Sequence, residues 1–212
     1  MADILVLCAH NDDQVIGVGG TLLKFAKEGR TFKTIVFSYG EKSHPYLQEG
    51  VISKIRHKEG ARSDRILGGS GIKYLGLKDT ALKKETSKKE TRQRVISLIK
   101  KENPKKIFTH SATDTHPDHR AVYQLVQEFI NKKMIKCEVY SFDVWSVFGT
   151  NKNKPKLVVD VSDTFEQKLE ALFVQKSQKN TIMTLLWNIC LKAIINGWFY
   201  KYKYAEVFNK IK

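Results

Sequence analysis

A single α/β domain over residues 1–212, with a mainly parallel, Rossmann-like sheet flanked by helices, is the fold this sequence predicts. Three observations carry it. Short apolar runs such as ILVLC (4–8) and KKIFTH (105–110) alternate with segments of helical periodicity, the pattern of βαβ units. No internal repeat, low-complexity stretch or Pro/Gly/Ser-rich linker divides the chain. A length of 212 residues, 42% hydrophobic and 28% charged, suits one sizeable core and does not suit a disordered chain.

DILVLCA (3–9) reads as a buried strand because a short apolar run is bounded by polar residues. A helix follows at 17–29, with Leu22, Leu23, Phe25 and Ala26 on its apolar side. FKTIVFS (32–38) is the second strand, and a loop runs through Pro45 to about 50. A helix near 51–68 ends at Gly68-Gly69, and IKYLGL (72–77) supplies a short strand. The helix at 87–102 stops before Pro104, as prolines dictate. KKIFTH is the next strand and runs into the polar loop SATDTHPD (111–118). A helix at 118–131, strands near 137–143 and 157–161, and helices at 163–179 and 182–197 complete the order.

The net charge of +15 fits attraction to nucleic acid, anionic lipid or acidic substrates, and equally a lysine-rich surface, since the excess is spread along the chain. No RNP-type, zinc-finger or other nucleic-acid motif accompanies it. Cys8, Cys137 and Cys190 are scattered with no CxxC pair, which argues against a disulfide framework or a cysteine zinc site and fits a reducing interior. The first apolar run has acidic Asp3 in place of a basic leader, so a cytoplasmic location is expected. The longest apolar stretch, TIMTLLWNICLKAIINGWF, is interrupted by Asn188, Lys192 and Asn196; it reads as a buried or partly buried helix and not as a transmembrane segment. Core packing is the expected fate of Cys190, Trp187, Trp198, Tyr200, Tyr202 and Tyr204, with a subunit contact or a site mouth as the alternative. A homo-oligomer is left open.

Two polar segments stand at strand ends, where open parallel sheets bind ligands. AHNDDQ (9–14) offers His10, Asp12 and Asp13; DTHPDHR (114–120) offers Asp114, His116, Asp118, His119 and Arg120. Imidazole and carboxylate suit a catalytic zinc, which keeps three protein ligands and one position open for water. A dication would also relieve the repulsion between Asp12 and Asp13, binding one and leaving the other to act on the bound water. Alone, Asp12-Asp13 and Asp118 would each read as helix caps. At matching strand ends they favour a site.

The same residues resemble a known family. AHNDDQVIGVGGTL together with DTHPDHR is similar to the PIG-L/LmbE-like zinc-dependent N-acetylglucosaminyl deacetylases, which carry an A-H-P-D-D-E motif after the first strand and an H-P-D-H motif later. RHKEGARSDRILG, YLGLKD, KLEALFVQKSQ and YAEVF extend the likeness over nearly the whole chain. The resemblance implies zinc (or another divalent ion such as Fe2+) held by His10, Asp13 and His119. It implies Asp12 as general base, protonated His116 as electrostatic or acid partner near the reacting amide, and Asp118 orienting a histidine. Arg56 and Asp79 match sugar-contacting positions, although Arg56 is also readable as a surface helix arginine paired with Glu59. The implied substrate is an acetylated amino sugar or glycoconjugate. Asn11 and Gln14 depart from the family's proline and glutamate, and neither touches an implied ligand or the base.

Three rivals differ in class. A 2-His-1-carboxylate iron oxygenase site fits His10, Asp12 and His119 on paper, but those enzymes resemble all-β barrels. GVGG (17–20) follows a strand yet misses the dinucleotide-binding spacing. A non-catalytic nucleic-acid or membrane-surface binder on a degenerate deacetylase scaffold is motivated by the charge and by Asn11 and Gln14.

Overall fold

The run ILVLC has no polar residue on either side of the pleat, so as a strand it demands cover on both faces. β1 (Ile4–Cys8) is accordingly central, in parallel with β2 (Phe32–Val36) on one side and β4 (Lys106–His110) on the other, Leu7 registering with Ile35 and Thr109. Ile4, Val6 and Cys8 face one core, and Leu5, Leu7 and Ala9 the other. The computed structural model describes residues 1–44, 46–146 and 155–212; Pro45, expected in the loop after β2, lies outside them.

The sheet has seven strands in the order β3-β2-β1-β4-β5-β7-β6, with β3 (Ile72–Tyr74), β5 (Glu138–Phe142), β6 (Lys156–Asp160) and β7 (Ala205–Lys210) added to those above. β1 to β5 are parallel, and β7 runs antiparallel to both β5 and β6. One face carries α1 (Asp13–Lys27), α2 (Glu49–Leu67), α6 (Phe165–Phe173) and α7 (Lys179–Tyr200). The other carries α3 (Leu82–Ser87), α4 (Lys89–Glu102) and α5 (Pro117–Asn131). The chain winds from β1 outward to β3, then returns to β4 on the opposite side of β1. The carboxyl ends of β1 and β4 therefore flank the topological switch point, the place where such sheets open a crevice.

The parallel α/β architecture expected from the sequence is present, with several differences of detail. α1 begins at Asp13, four residues before the expected start at 17, so Asp13 and Gln14 belong to its first turn. α3 and β7 were not foreseen. β7 was hidden because AEVFNK carries two polar residues that nevertheless face inward, Glu206 and Asn209. Glu206 is held by a buried ion pair with Lys168 Nζ at 2.7 Å and accepts the Gly20 and Thr21 N–H groups, which ties β7 to α6 and α1. The expected helix at 163–179 stops at Phe173, and a 3-10 turn at Lys176–Gln178 leads into the longer α7.

The expectation of core packing fails for Trp187, Trp198, Tyr200 and Tyr202: Trp187 is 58% and Trp198 77% exposed. Periodicity could not reveal this, because α7 is apolar on both sides and, among the described residues, only one side finds a partner. Ile182, Leu185, Ile189 and Ala193 pack into the core, while Tyr204 stacks on Phe165 at 4.4 Å between ring centres. By length and composition the stretch Lys176–Tyr200 could cross a membrane, yet its inner face is packed on the sheet.

Asp64, near the end of α2, accepts the Gly71 N–H at 3.0 Å, while its other oxygen is buried without a partner. Burial raises its pKa to about 6. A raised carboxylate pKa favours the folded state fully below the unfolded value near 4, and that advantage is lost as pH rises through about 6. Asp64→Asn keeps an acceptor for Gly71 and should abolish this loss. Urea unfolding at pH 4 and pH 7 should show the variant gaining on the order of 1–3 kcal/mol over the parent between the two; equal shifts at both pH values would refute the assignment.

Candidate metal centre

The first turn of α1 projects Asp13 into the crevice between β1 and β4. Its carboxylate accepts the His10 N–H at 2.7 Å, so the loop closes on itself before the helix begins. The side chain of Asp13 then meets three imidazoles. Its Oδ2 lies 3.7 Å from His10 Nδ1 and 3.1 Å from His110 Nε2, and its Oδ1 lies 3.2 Å from His119 Nε2. Asp12, the N-cap residue, makes no side-chain cap bond; its carboxylate turns instead to Arg56, whose Nη2 donates at 3.1 Å.

Each of the outer histidines is oriented from behind by a carboxylate. His119 Nδ1 faces Asp114 Oδ1 at 3.0 Å, leaving Nε2 toward Asp13. His10 Nε2 faces Asp79 Oδ1 at 3.1 Å and Asp118 Oδ2 at 3.6 Å, leaving Nδ1 toward Asp13. Asp79 is itself fixed by the Lys42 and Thr80 N–H groups, and Asp118 by those of Thr80 and Leu82. Thr80 serves both carboxylates from a positive φ of 62°, a strained setting for a β-branched residue that the two bonds compensate.

Asp118 therefore does not cap α5. That cap is His116, whose Nδ1 accepts the Asp118 N–H at 3.2 Å. The bond places the proton of a neutral His116 on Nε2. The ring packs against those of His10 and His119, with centroids 5.0 and 4.6 Å away, and remains partly exposed.

The electrostatics follow from this packing. Burial opposes a charged His10, but Asp118 and Asp79 outweigh it and hold the pKa at about 10. Burial likewise opposes a charged His119, which Asp13 and Asp114 lift to about 9. Burial would raise Asp13, yet His119 and His110 keep it well below the usual carboxylate range. His110, pushed down to about 4 by burial and by the charge on His119, is neutral. His116 is also lowered by burial, then by His10 and His119.

The donor set fits a divalent ion. Three overlapping groups bring ligand atoms within 4.8 Å of one another: His10, His116 and His119; Asp13, His110 and His119; and His10, Asp79 and Asp118. His110 Nε2 lies 3.0 Å from the Ala9 N–H and 3.1 Å from Asp13 Oδ2, and one nitrogen cannot accept from the first and donate to the second. Added positive charge beside Asp13 removes that conflict. The carboxylate surplus that keeps protons on His10 and His119 is the same field a dication would use.

All eight residues singled out from the sequence meet around this crevice. Arg56 is only 2% exposed and bonds to Asp12, not to Glu59, which accepts instead from Ser177. Asp79 backs His10. Two residues received no role from the sequence: His110, at the tip of β4, and Asp114, behind His119. Asp114 stood in the same polar loop as His119, a carboxylate near an expected ligand; His110 gave no signal, because a strand-end histidine ordinarily packs.

Known proteins resemble this chain in sequence and fold. A diacetylchitobiose deacetylase of Thermococcus kodakarensis is 28% identical over 95% of this chain and 80% of its own length. A probable N-acetyl-alpha-D-glucosaminyl L-malate deacetylase 2 of Bacillus anthracis is 26% identical over 86% of this chain and 84% of its own. The crystal structure of an N,N'-diacetylchitobiose deacetylase of Pyrococcus horikoshii superposes with a TM-score of 0.82 at 25% identity, covering 99% of this chain and 84% of that one. The family model described as GlcNAc-PI de-N-acetylase matches residues 5–130, a span that contains all but the first residue of β1, the Asp12-Asp13 turn and the His116–His119 corner, and the chain belongs to this PIG-L family.

Proposed function

We propose that this protein is a zinc-dependent hydrolase that removes the acetyl group from an N-acetylglucosamine-type sugar or glycoconjugate. The convergence of Asp13, His10 and His119, each histidine backed by a carboxylate, carries the reading. Named relatives that deacetylate amino sugars support the substrate class. His10 Nδ1, Asp13 and His119 Nε2 would hold the ion, with Asp79, Asp118 and Asp114 fixing ring orientation behind them. Bound there, a divalent ion would supply polarisation of the amide carbonyl and acidification of a water.

Asp12 would take the proton from that water. Arg56 keeps its carboxylate from turning back to cap α1, which fits a base that must face the crevice and not its own helix. His116 would donate from Nε2 to the developing oxyanion. The cap bond at its Nδ1 fits a neutral donor, which revises the protonated form implied by the family resemblance. Arg56, bonded to Asp12, and Asp79, bonded to His10, would contact the sugar from these fixed positions in the crevice.

The direct test is to purify the protein, measure bound metal and assay acetate release from N-acetylglucosamine conjugates; no release from any acetylated sugar by a zinc-loaded protein would sink the proposal. Asp12→Ala should retain metal while turnover falls on the order of 10²–10⁴-fold, the usual worth of general acid–base catalysis. His119→Ala should lose the metal itself, read by elemental analysis. Asp114→Asn, which weakens the support behind His119 without removing a ligand, should cost about 10–100-fold in metal affinity by chelator competition.

A further inference from the structure

The outer face of α7 is apolar, and among the described residues no segment covers it. Met183, Trp187, Leu191, Ile194 and Trp198 are all exposed, and their spacing of four, four, three and four residues lines them on one stripe. Phe199 widens it. The opposite face packs into the core through Ile182, Leu185, Ile189 and Ala193, so the helix is fixed to the domain. A patch of this extent on a soluble domain marks a contact surface.

Charge identifies the partner. From residue 171 to 205 the chain has five lysines and no acidic residue. Four of them, Lys176, Lys179, Lys201 and Lys203, are exposed and lie at the two ends of α7. Lys176 and Lys179 sit at the amino end, where the helix dipole disfavours cations, so they do not serve helix stability. An apolar stripe bearing two tryptophans, bracketed by lysines and followed by exposed Tyr200 and Tyr202, matches the layers of a bilayer surface: acyl boundary, aromatic interface, anionic headgroups. A second copy would bring the same lysines and a net +15 against an identical charge.

We infer that α7 docks this protein flat on an anionic membrane surface, with the Met183–Trp198 stripe in the headgroup–acyl boundary and the terminal lysines on anionic headgroups. Docking orients the reactive crevice as well. The 3-10 turn before α7 bonds to the loops around it, Gln178 donating to Ser43 and Ser177 to Glu59, while neighbouring Gln175 bonds to Asn11. The amino end of α7 is thus coupled to the rim of the crevice.

The test uses the full-length protein with sedimented vesicles of phosphatidylcholine alone or mixed equally with phosphatidylglycerol. Binding to the mixed vesicles only, weakened between about 0.05 and about 0.5 M salt, with a blue shift in tryptophan emission, is expected. Trp187→Gln/Trp198→Gln should weaken it at least about tenfold while leaving the melting temperature and the bound metal unchanged. Absence of binding to the mixed vesicles overturns the inference. So does binding that the double variant leaves intact, or a dimer by light scattering that the variant dissociates. Vesicle binding is read without turnover, so its failure and that of the deacetylase reading are distinct.

Discussion

The placement of one carboxylate, that of Asp13, constrains everything around it. It is buried in the first turn of a helix, bonded to the His10 N–H, and faces imidazole nitrogens from β1's loop, from the end of β4 and from α5. An isolated carboxylate in such a position costs many kcal/mol, so positive charge must accompany it. His10 and His119, both held toward their protonated forms by the carboxylates around them, supply it. The outer carboxylates, Asp79, Asp114 and Asp118, then become necessary in turn, since they hold the rings at the right angle and stabilise their charge. The crevice is a shell of alternating charge built outward from a single group.

That local order contrasts with the whole molecule. The chain carries +15, the wrong sign for attracting a cation from solution. Five of its 22 acidic residues, Asp12, Asp13, Asp79, Asp114 and Asp118, meet at the switch point, so a field favourable to a cation extends here over a few ångströms of buried crevice, against the sign of the long-range potential. The basic surplus lies elsewhere, on the surface. The acidic cluster lies within the crevice, whereas the lysines at the two ends of α7 are a small part of a surplus spread over the surface.

Much of this was legible in the sequence because its signals are local. A run such as ILVLC declares a two-sided strand, and His-Asn-Asp-Asp or His-Pro-Asp-His at a strand end declares a polar loop over a crevice. What stayed hidden depends on contacts far apart in the chain. Arg56 meets Asp12 across 44 residues, and Glu206 meets Lys168 from a strand inserted between two earlier ones. His110 is indistinguishable from a core histidine until Asp13 stands before it. Trp187 and Trp198 looked like core because apolarity reports a need for cover and not which face receives it.

The departures at Asn11 and Gln14 make physical sense in this setting. Proline would stiffen the loop by fixing φ; Asn11 holds it by bonding. Its amide donates to Arg56 O at 2.7 Å and to Gln175, its side-chain oxygen accepts from Tyr74, and Gln175 Nε2 returns a bond to its backbone carbonyl at 3.0 Å. Gly60 lets α2 approach this closely, for a Cβ there would strike the Asn11 side chain and the Tyr74 hydroxyl. The loop is therefore clamped to α2, β3 and the segment leading to α7. Gln14 is fully buried, and neither atom of its amide finds a partner. A glutamate carboxylate in those surroundings would add a negative charge beside a crevice that already holds five carboxylates, at a far greater desolvation cost than a neutral amide. The neutral amide avoids that cost, and Asp12, Asp13 and the histidines still converge on the crevice beside it.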